Sequence, residues 1–365
     1  MFYWLAEFIE KNGGPALFRY ITVRSVSAFF TAFLVTLLIG RQVINSLYKR
    51  GYRSKERSYG DINTASKTGT PVMGGVLLLI SGIGAALLWC NLENAFVLAL
   101  FASSLWFSAM GALDDLLKVK RGDSDKGLAR PAKYFGQIAF GLALGILVVS
   151  KAYSPLPAQL TSQLHVPFYK HALVDLSWLY VAFIVVMIVY SANAVNFADG
   201  MDGLAVVPSF FVLVVLGIFG YVMGNAKMSA YLFYPYLPGA GEIAVFCSAL
   251  GGAAIGFLWF NAHPAEVFMG DTGSLLLGGT MGTAAVLLKQ ELLFILAGGI
   301  FAIEILSTAI QEWFGLGMLG RRIFARAPLH HTFAHRGMAE SKIVVRFWIV
   351  SAILAALAVA TLKIR

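Results

Sequence analysis

Asp114 and Asp115 stand side by side where an apolar stretch, residues 94–113, runs out into Lys118, Lys120 and Arg121. Two adjacent carboxylates at the mouth of an apolar helix are costly unless a cation or a proton uses them. A solvated pair that merely ends the helix is the blander explanation, yet acidic groups at a helix C-terminus oppose the macrodipole. Further along, Asn193, Asn196, Asp199 and Asp202 recur at intervals of three, so a helical continuation places them near one face as a polar stripe. Gly200 and Gly203 beside them also suit a turn with helix capping, which leaves the stripe unexplained. Asp271 follows Phe268-Met-Gly270 and precedes Thr272-Gly-Ser274. Two readings stay open for it: an N-cap, or part of a site in which exposed N–H groups hold phosphate.

Two basic segments complete the inventory. Arg321, Arg322, Arg326, His330, His331 and His335 share one stretch with Pro328. Adjacent histidines do not face one metal from a helix, so phosphate contact or proton transfer suits them better. The segment Ser66-Lys-Thr-Gly-Thr-Pro-Val-Met-Gly-Gly75 joins Lys67 to glycines that let backbone approach a ligand, without the spacing of a Walker A loop. Acidic loops surrounded by basic ones suit a divalent cation that bridges carboxylates to substrate phosphates, with Lys and Arg neutralising the remainder.

The elements that must position these groups are membrane helices. The chain has 365 residues, 58% of them hydrophobic and 13% charged, with a mean hydropathy of +0.75. That is too apolar for a soluble fold of this length. Apolar runs fall at about 23–39, 72–89, 95–113, 134–149, 176–194, 204–223, 243–260, 274–288, 292–310 and 343–362. Most are near the ~20 residues a span requires. The run from Ser274 is short and glycine-rich, and Glu304 interrupts the ninth. Backbone groups in hydrocarbon must be satisfied within their own segment, which predicts an all-α, polytopic bundle of about ten transmembrane helices in a single domain over 1–365.

Of the 28 Lys and Arg, seven lie between Arg41 and Lys67, six between Lys118 and Lys133, and six between Arg321 and Arg346. The positive-inside rule makes these loops cytoplasmic and, with ten spans, leaves both termini periplasmic. The loops carrying Asp199 and Asp271 are then cytoplasmic too. The net charge of +9 favours anionic lipid and phosphorylated substrates, and a nucleic-acid partner is not indicated. Cys90 and Cys247 fall in apolar runs and imply no disulfide framework. No cleavable signal pattern is evident at the N-terminus, so the first span is expected to serve as the targeting signal.

Thr70-Pro-Val-Met-Gly-Gly75, Asp114-Asp115 with Lys118, Asn193-Ala-Val-Asn-Phe-Ala-Asp-Gly-Met-Asp-Gly203, Trp259-Phe-Asn261, Phe268-Met-Gly-Asp271 and Pro328-Leu-His-His331 appear in that order. This series resembles the phospho-N-acetylmuramoyl-pentapeptide transferase family, within the polyprenyl-phosphate N-acetylhexosamine-1-phosphate transferases, and the similarity covers essentially the whole chain. The resemblance implies a ten-helix enzyme of the bacterial inner membrane with its active site at the cytoplasmic face. Its implied reaction moves phospho-MurNAc-pentapeptide from UDP-MurNAc-pentapeptide to undecaprenyl phosphate. Lipid I and UMP are the products, Mg²⁺ the cofactor, and the step is the first at the membrane in peptidoglycan synthesis. A homodimer is a candidate assembly.

By the same resemblance Asp271 and Asp115 are the metal ligands, and Asp114 orients or deprotonates the lipid phosphate. Asn193, Asn196 and Asp199 line the metal-diphosphate pocket, while Gly200, Asp202, Asn261 and Phe268 line the uridine. Lys67, Lys126 and Lys133 contact phosphate or nucleotide, Ser274 belongs to the substrate site, and His330 and His331 match the family's histidine loop. A phosphate monoester with a second pKa of about 6 is already largely dianionic near neutral pH, so positioning is the larger expected role for Asp114. One departure stands out: members of the family often have three successive histidines, and here Thr332 follows His331. A Thr donates a hydrogen bond but carries no charge.

Other classes remain in view. A secondary transporter also places Asp and Asn at membrane depth, but its carboxylates belong near the bilayer midplane with an inverted repeat. Here the carboxylates cluster at the ends of several runs, and no repeat is found. A related transferase using UDP-N-acetylglucosamine is the nearer rival, and the Pro328-Leu-His-His331 stretch favours the muramoyl-peptide donor. A non-catalytic scaffold requires no such gathering of acidic groups.

Overall fold

Asn94 starts the helix on which the site depends: its side chain accepts the N–H groups of Phe96 and Val97 and caps Ala95–Arg121. That helix ends with Lys118, Lys120 and Arg121 in its last turn and Gly122 in the left-handed conformation, so the basic residues complement the negative end of its dipole. The computed structural model describes residues 3–4, 10–13, 16–54, 69–123, 126–170 and 173–364. Among these the helices are α1 (Ile21–Lys49), α2 (Gly75–Trp89), α3 (Ala95–Arg121), α4 (Arg130–Val149) and α5 (Leu179–Ala198). They continue with α6 (Val206–Met223), α7 (Ala226–Tyr231), α8 (Gly241–Asn261), α9 (Gly270–Leu287), α10 (Glu291–Ala297), α11 (Gly299–Ala309), α12 (Leu329–His335) and α13 (Glu340–Ala360). A two-stranded antiparallel ribbon pairs Gln163 with Asp175 and Leu164 with Val174 between α4 and α5.

Seven helices, α1, α3, α4, α5, α6, α8 and α13, are long and apolar enough to cross a membrane. An eighth candidate is the broken pair Glu291–Ala297 and Gly299–Met318, bent by 87° at Gly298. All ten predicted apolar runs lie on helix, but α2 is short and α9 is not in that apolar set. The reason for α9 lies in its packing. It sits between α3 and α5, and every residue from Asp271 to Leu287 is buried. A helix shielded from lipid by other helices has no need of an apolar circumference, and small residues let its neighbours close in. Ser104 and Thr280 share a hydrogen bond of 2.9 Å across the α3–α9 contact, and Thr283 donates to Ser103 at 2.9 Å.

Around that centre, α8 packs on α1 and α6, and α4 packs on α5. Arg24 of α1 and Glu242 of α8 form a buried bidentate pair at 2.9 and 2.5 Å, and Glu242 also accepts the Asn91 N–H. Two charges taken out of water this way are tolerated because each is paired and hydrogen-bonded. Cys90 and Cys247 are buried free thiols. The bundle thereby holds the C-terminal end of α3, the N-terminal ends of α4 and α9 and the C-terminal end of α5 around one cleft.

Candidate active site

A cleft of about 1010 Å³ opens among these helix ends. Asp114, fully buried at the end of α3, accepts the Leu128 N–H at 2.7 Å. Its carboxylate lies 2.6 Å from Lys118 Nζ and 2.9 Å from Lys133 Nζ. The same two ammonium groups reach Asp271, Lys118 at 3.1 Å and Lys133 at 2.7 Å. Two carboxylates and two ammoniums therefore form a closed ring of alternating charge. Lys118 follows Asp114 by one helical turn, whereas Lys133 is delivered by the first turn of α4.

Asp115 is used differently. One oxygen accepts the Asp271 N–H at 3.1 Å, and the other accepts the Thr272 N–H at 2.9 Å and the Thr272 hydroxyl at 2.7 Å. The N-terminus of α9 is thus capped from α3: Asp271 lies inside the helix and is not its N-cap, and the N–H groups of Asp271 and Thr272 are taken by Asp115. Gly270 carries the turn into α9 at φ +71°, and a Cβ there would come within 2.7 Å of an Asp115 oxygen. With its own N–H occupied, Asp271 turns its carboxylate to the two lysines.

Asp114, Asp115 and Asp271 each offer an oxygen, and these atoms lie within 4.8 Å of one another. An all-carboxylate set suits a hard divalent cation such as Mg²⁺ or Mn²⁺ over thiophilic ions. The three carboxylates and two ammoniums leave one net negative charge, so the residues present fit such a cation.

The remaining predicted residues divide into two groups. Asp199, Gly200, Asp202, Asn196, Asn261, Phe268 and His331 line the cleft, together with Arg130 and Glu340. Asn261 also braces the wall, accepting the Gly203 N–H at 3.0 Å and donating to the Val267 carbonyl at 2.8 Å. Asp202 faces His263 Nδ1 at 3.0 Å and accepts the Ala265 N–H, while its own N–H donates to Glu340. This stitches the α8–α9 loop to α13. Among the described residues that line the cleft, Asn193, Lys126, Ser274 and His330 are absent. Asn193 donates to Gln137 at 2.7 Å in a half-buried amide pair between α5 and α4. Lys126 is exposed and pairs with Asp123 at 3.1 Å. Ser274 accepts the Asn196 amide at 2.8 Å and so acts one step behind the wall. Lys67 lies outside the described residues.

Thr332, at the third histidine's place, accepts the Arg326 N–H at 3.1 Å and donates to the Arg326 carbonyl, closing the turn before α12. Three residues that the motifs did not single out support the site: Thr272 under Asp115, Gln137 under Asn193, and Glu304 against His330. Only Glu304 left a signal in the sequence, as a lone acid in an apolar run.

The sequence pattern of glycosyl transferase family 4 matches residues 97–289, the span from α3 through α9. A curated relative from Maridesulfovibrio salexigens is 41% identical over 367 residues, covering all of both chains, and is named phospho-N-acetylmuramoyl-pentapeptide-transferase. The chain belongs to that family. Relatives of the same name from Desulfotalea psychrophila, 43% identical over all of both chains, and Desulfovibrio desulfuricans, 44% identical over 96% of this chain and 95% of that one, agree. The protein is accordingly a membrane-embedded phosphoglycosyl transferase of peptidoglycan synthesis. In this transferase the acids at 114, 115 and 271 all fall within the matched segment, and the histidine loop lies beyond it.

Proposed function

We propose that the transferase moves phospho-MurNAc-pentapeptide from UDP-MurNAc-pentapeptide to undecaprenyl phosphate, giving lipid I and UMP with Mg²⁺. It does so as a single domain of ten crossings in the bacterial inner membrane, with periplasmic termini. The ring formed by Asp114, Lys118, Asp271 and Lys133 at the mouth of the cleft carries this reading. In the reaction a lipid phosphate oxygen forms a bond to the β-phosphorus of the diphosphate while the bond to the UMP oxygen breaks. Two anions must meet, so charge neutralisation dominates the barrier.

Lys118 and Lys133 each pair with two carboxylates, and either can exchange one partner for a phosphate oxygen without being left unpaired. Mg²⁺, held by Asp271 with Asp114 and Asp115 beside it, supplies charge stabilisation to the diphosphate when bound. Asp114 is fixed by two lysines and a backbone N–H. That arrangement supports an orienting role over a nucleophile or a strong base. Arg130 and Lys133 at the start of α4 face an incoming diphosphate from the cleft wall.

A donor bearing N-acetylglucosamine is the second reading, since the charged ring serves any such diphosphate. The wall segment His331 to Glu340, which lines the cleft beside Gly200 and Asp202, favours the larger muramoyl-peptide. UMP release from the purified enzyme with undecaprenyl phosphate and Mg²⁺ separates them. UDP-MurNAc-pentapeptide is the expected donor, and preference for UDP-N-acetylglucosamine overturns the assignment while keeping the wider family.

A further inference from the structure

Glu304 is fully buried in α11 and is the one charged residue of that helix. A lone carboxylate there persists only if it is paired and hydrogen-bonded. Both of its oxygens are directed to one residue of another helix: Oε1 accepts the His330 backbone N–H at 3.2 Å, and Oε2 faces His330 Nδ1 at 2.9 Å. The first contact caps α12, which begins at Leu329, and the second orients the ring. His330 is itself fully buried, and its Nε2 has no hydrogen-bond partner among the described residues. That nitrogen is aimed at the cleft wall. A Cβ built on Gly200 would lie 2.2 Å from Nε2, so the ring reaches the wall only because residue 200 has no side chain. The His331 ring packs against it at a centroid distance of 4.2 Å.

We infer that Glu304 is a positioning residue for the transferase, holding His330 with Nδ1–H turned inward and Nε2 against Gly200 of the cleft wall, where an anionic oxygen of a nucleoside diphosphate would be received. The inference rests on the donor site proposed above. An ionised carboxylate only accepts, so it fixes the proton on Nδ1. A neutral ring in that tautomer offers Nε2 as a lone pair, and only the imidazolium donates there. Glu304 is the countercharge for that donating form, the orienting relationship of a carboxylate behind a histidine. Glu304 itself does not reach the cleft and touches no substrate.

The test is a double-mutant cycle on the full-length enzyme in detergent, with UDP as the probe and Mg²⁺ present, and affinity read by calorimetry. Glu304→Gln and His330→Asn are each expected to weaken UDP binding about ten- to a hundredfold, the range for partners that orient a binding group. The combined variant should be no weaker than His330→Asn alone, because Glu304 acts through that ring. Glu304→Asp, which keeps the charge one methylene shorter, should recover part of the loss. Gly200→Ala should mimic His330→Asn with Glu304 intact. UDP binding by Glu304→Gln equal to that of the unaltered enzyme overturns the inference, as do losses that simply add in the double variant. A purely structural role for Glu304 gives equal additive loss for Asp and Gln. Failure of the muramoyl-peptide assignment appears instead in the donor comparison, which leaves UDP binding unchanged.

Discussion

Asp115→Asn and Asp271→Asn should fail in opposite ways, although the residues lie within one site. Asp115 is 5% exposed and accepts three donors from α9, at 3.1, 2.9 and 2.7 Å. An Asn retains one acceptor oxygen, and its amide NH₂ must then confront one of those N–H groups. Hydrogen bonds to a charged acceptor contribute about 1.5–3 kcal/mol each, and an orphaned buried donor costs about 1–3 kcal/mol. One donor orphaned and two bonds demoted from charged to neutral give a loss of about 3 kcal/mol. That is a shift of about a hundredfold in the folding equilibrium.

Asp271 pairs its carboxylate with Lys118 and Lys133, whose side chains are 20% and 22% exposed and retain Asp114 as a partner. Asp271→Asn should therefore destabilise the protein less than Asp115→Asn does, because both lysines keep a carboxylate partner. Its UMP release should fall by about a thousandfold, as when a group that stabilises transition-state charge is removed. Denaturant unfolding in mild detergent, run beside the UMP assay, reads both quantities. An Asp115→Asn protein as stable as the parent, or an Asp271→Asn protein that unfolds readily, refutes this division of labour.

Three further outcomes can be checked directly. Gly270→Ala should lower stability by about 1–3 kcal/mol, since a left-handed backbone position and a 2.7 Å approach to Asp115 both penalise a Cβ, and thermal unfolding measures it. Gln137→Leu removes the two hydrogen bonds between Gln137 and the half-buried Asn193 amide, whose NH₂ keeps the Val189 carbonyl, and should cost about 1 kcal/mol, read by the same melts, with UMP release per folded molecule little altered because Asn193 does not line the cleft. Chelation of divalent cations should abolish UMP release and added Mg²⁺ should restore it. The fold should survive chelation, because the lysines already neutralise Asp114 and Asp271, and unchanged activity after exhaustive chelation sinks the metal assignment.

Much of the site was legible because its residues conflict with their surroundings. Asp114-Asp115 at a helix mouth, the Asn/Asp series at the end of α5 and Asp271 are polar groups at the ends of apolar runs, and the structure gathers their segments at one cleft, although α5 stops at Ala198 and the expected helical stripe does not continue to Asp199 and Asp202. Helices arise at each apolar run, since periodicity and hydropathy are local properties. What stayed hidden depends on side-chain partners in space. Nothing in the spacing tells that Asp115 caps a helix 156 positions away or that Asn193 turns to Gln137. Ser274 and Lys126 sat in plausible stretches, yet one lies behind the wall and the other faces solvent. Hydropathy likewise misjudges α9, whose small and polar residues answer to neighbouring helices rather than to lipid.

The start of α9 carries a final consequence. Helix N-termini often offer phosphate a rigid cradle of N–H groups, and here Asp115 already occupies that cradle. Beside it stand Lys118 and Lys133, point charges on flexible four-carbon stems. A fixed cradle fits one position of one phosphate, whereas the phosphorus transferred here ends on a different oxygen from the one where it began. Mobile ammoniums can accompany it along that path. On the reaction proposed above, an enzyme that fills the anion pocket of its central helix with one of its own carboxylates exchanges a static binding site for a travelling one.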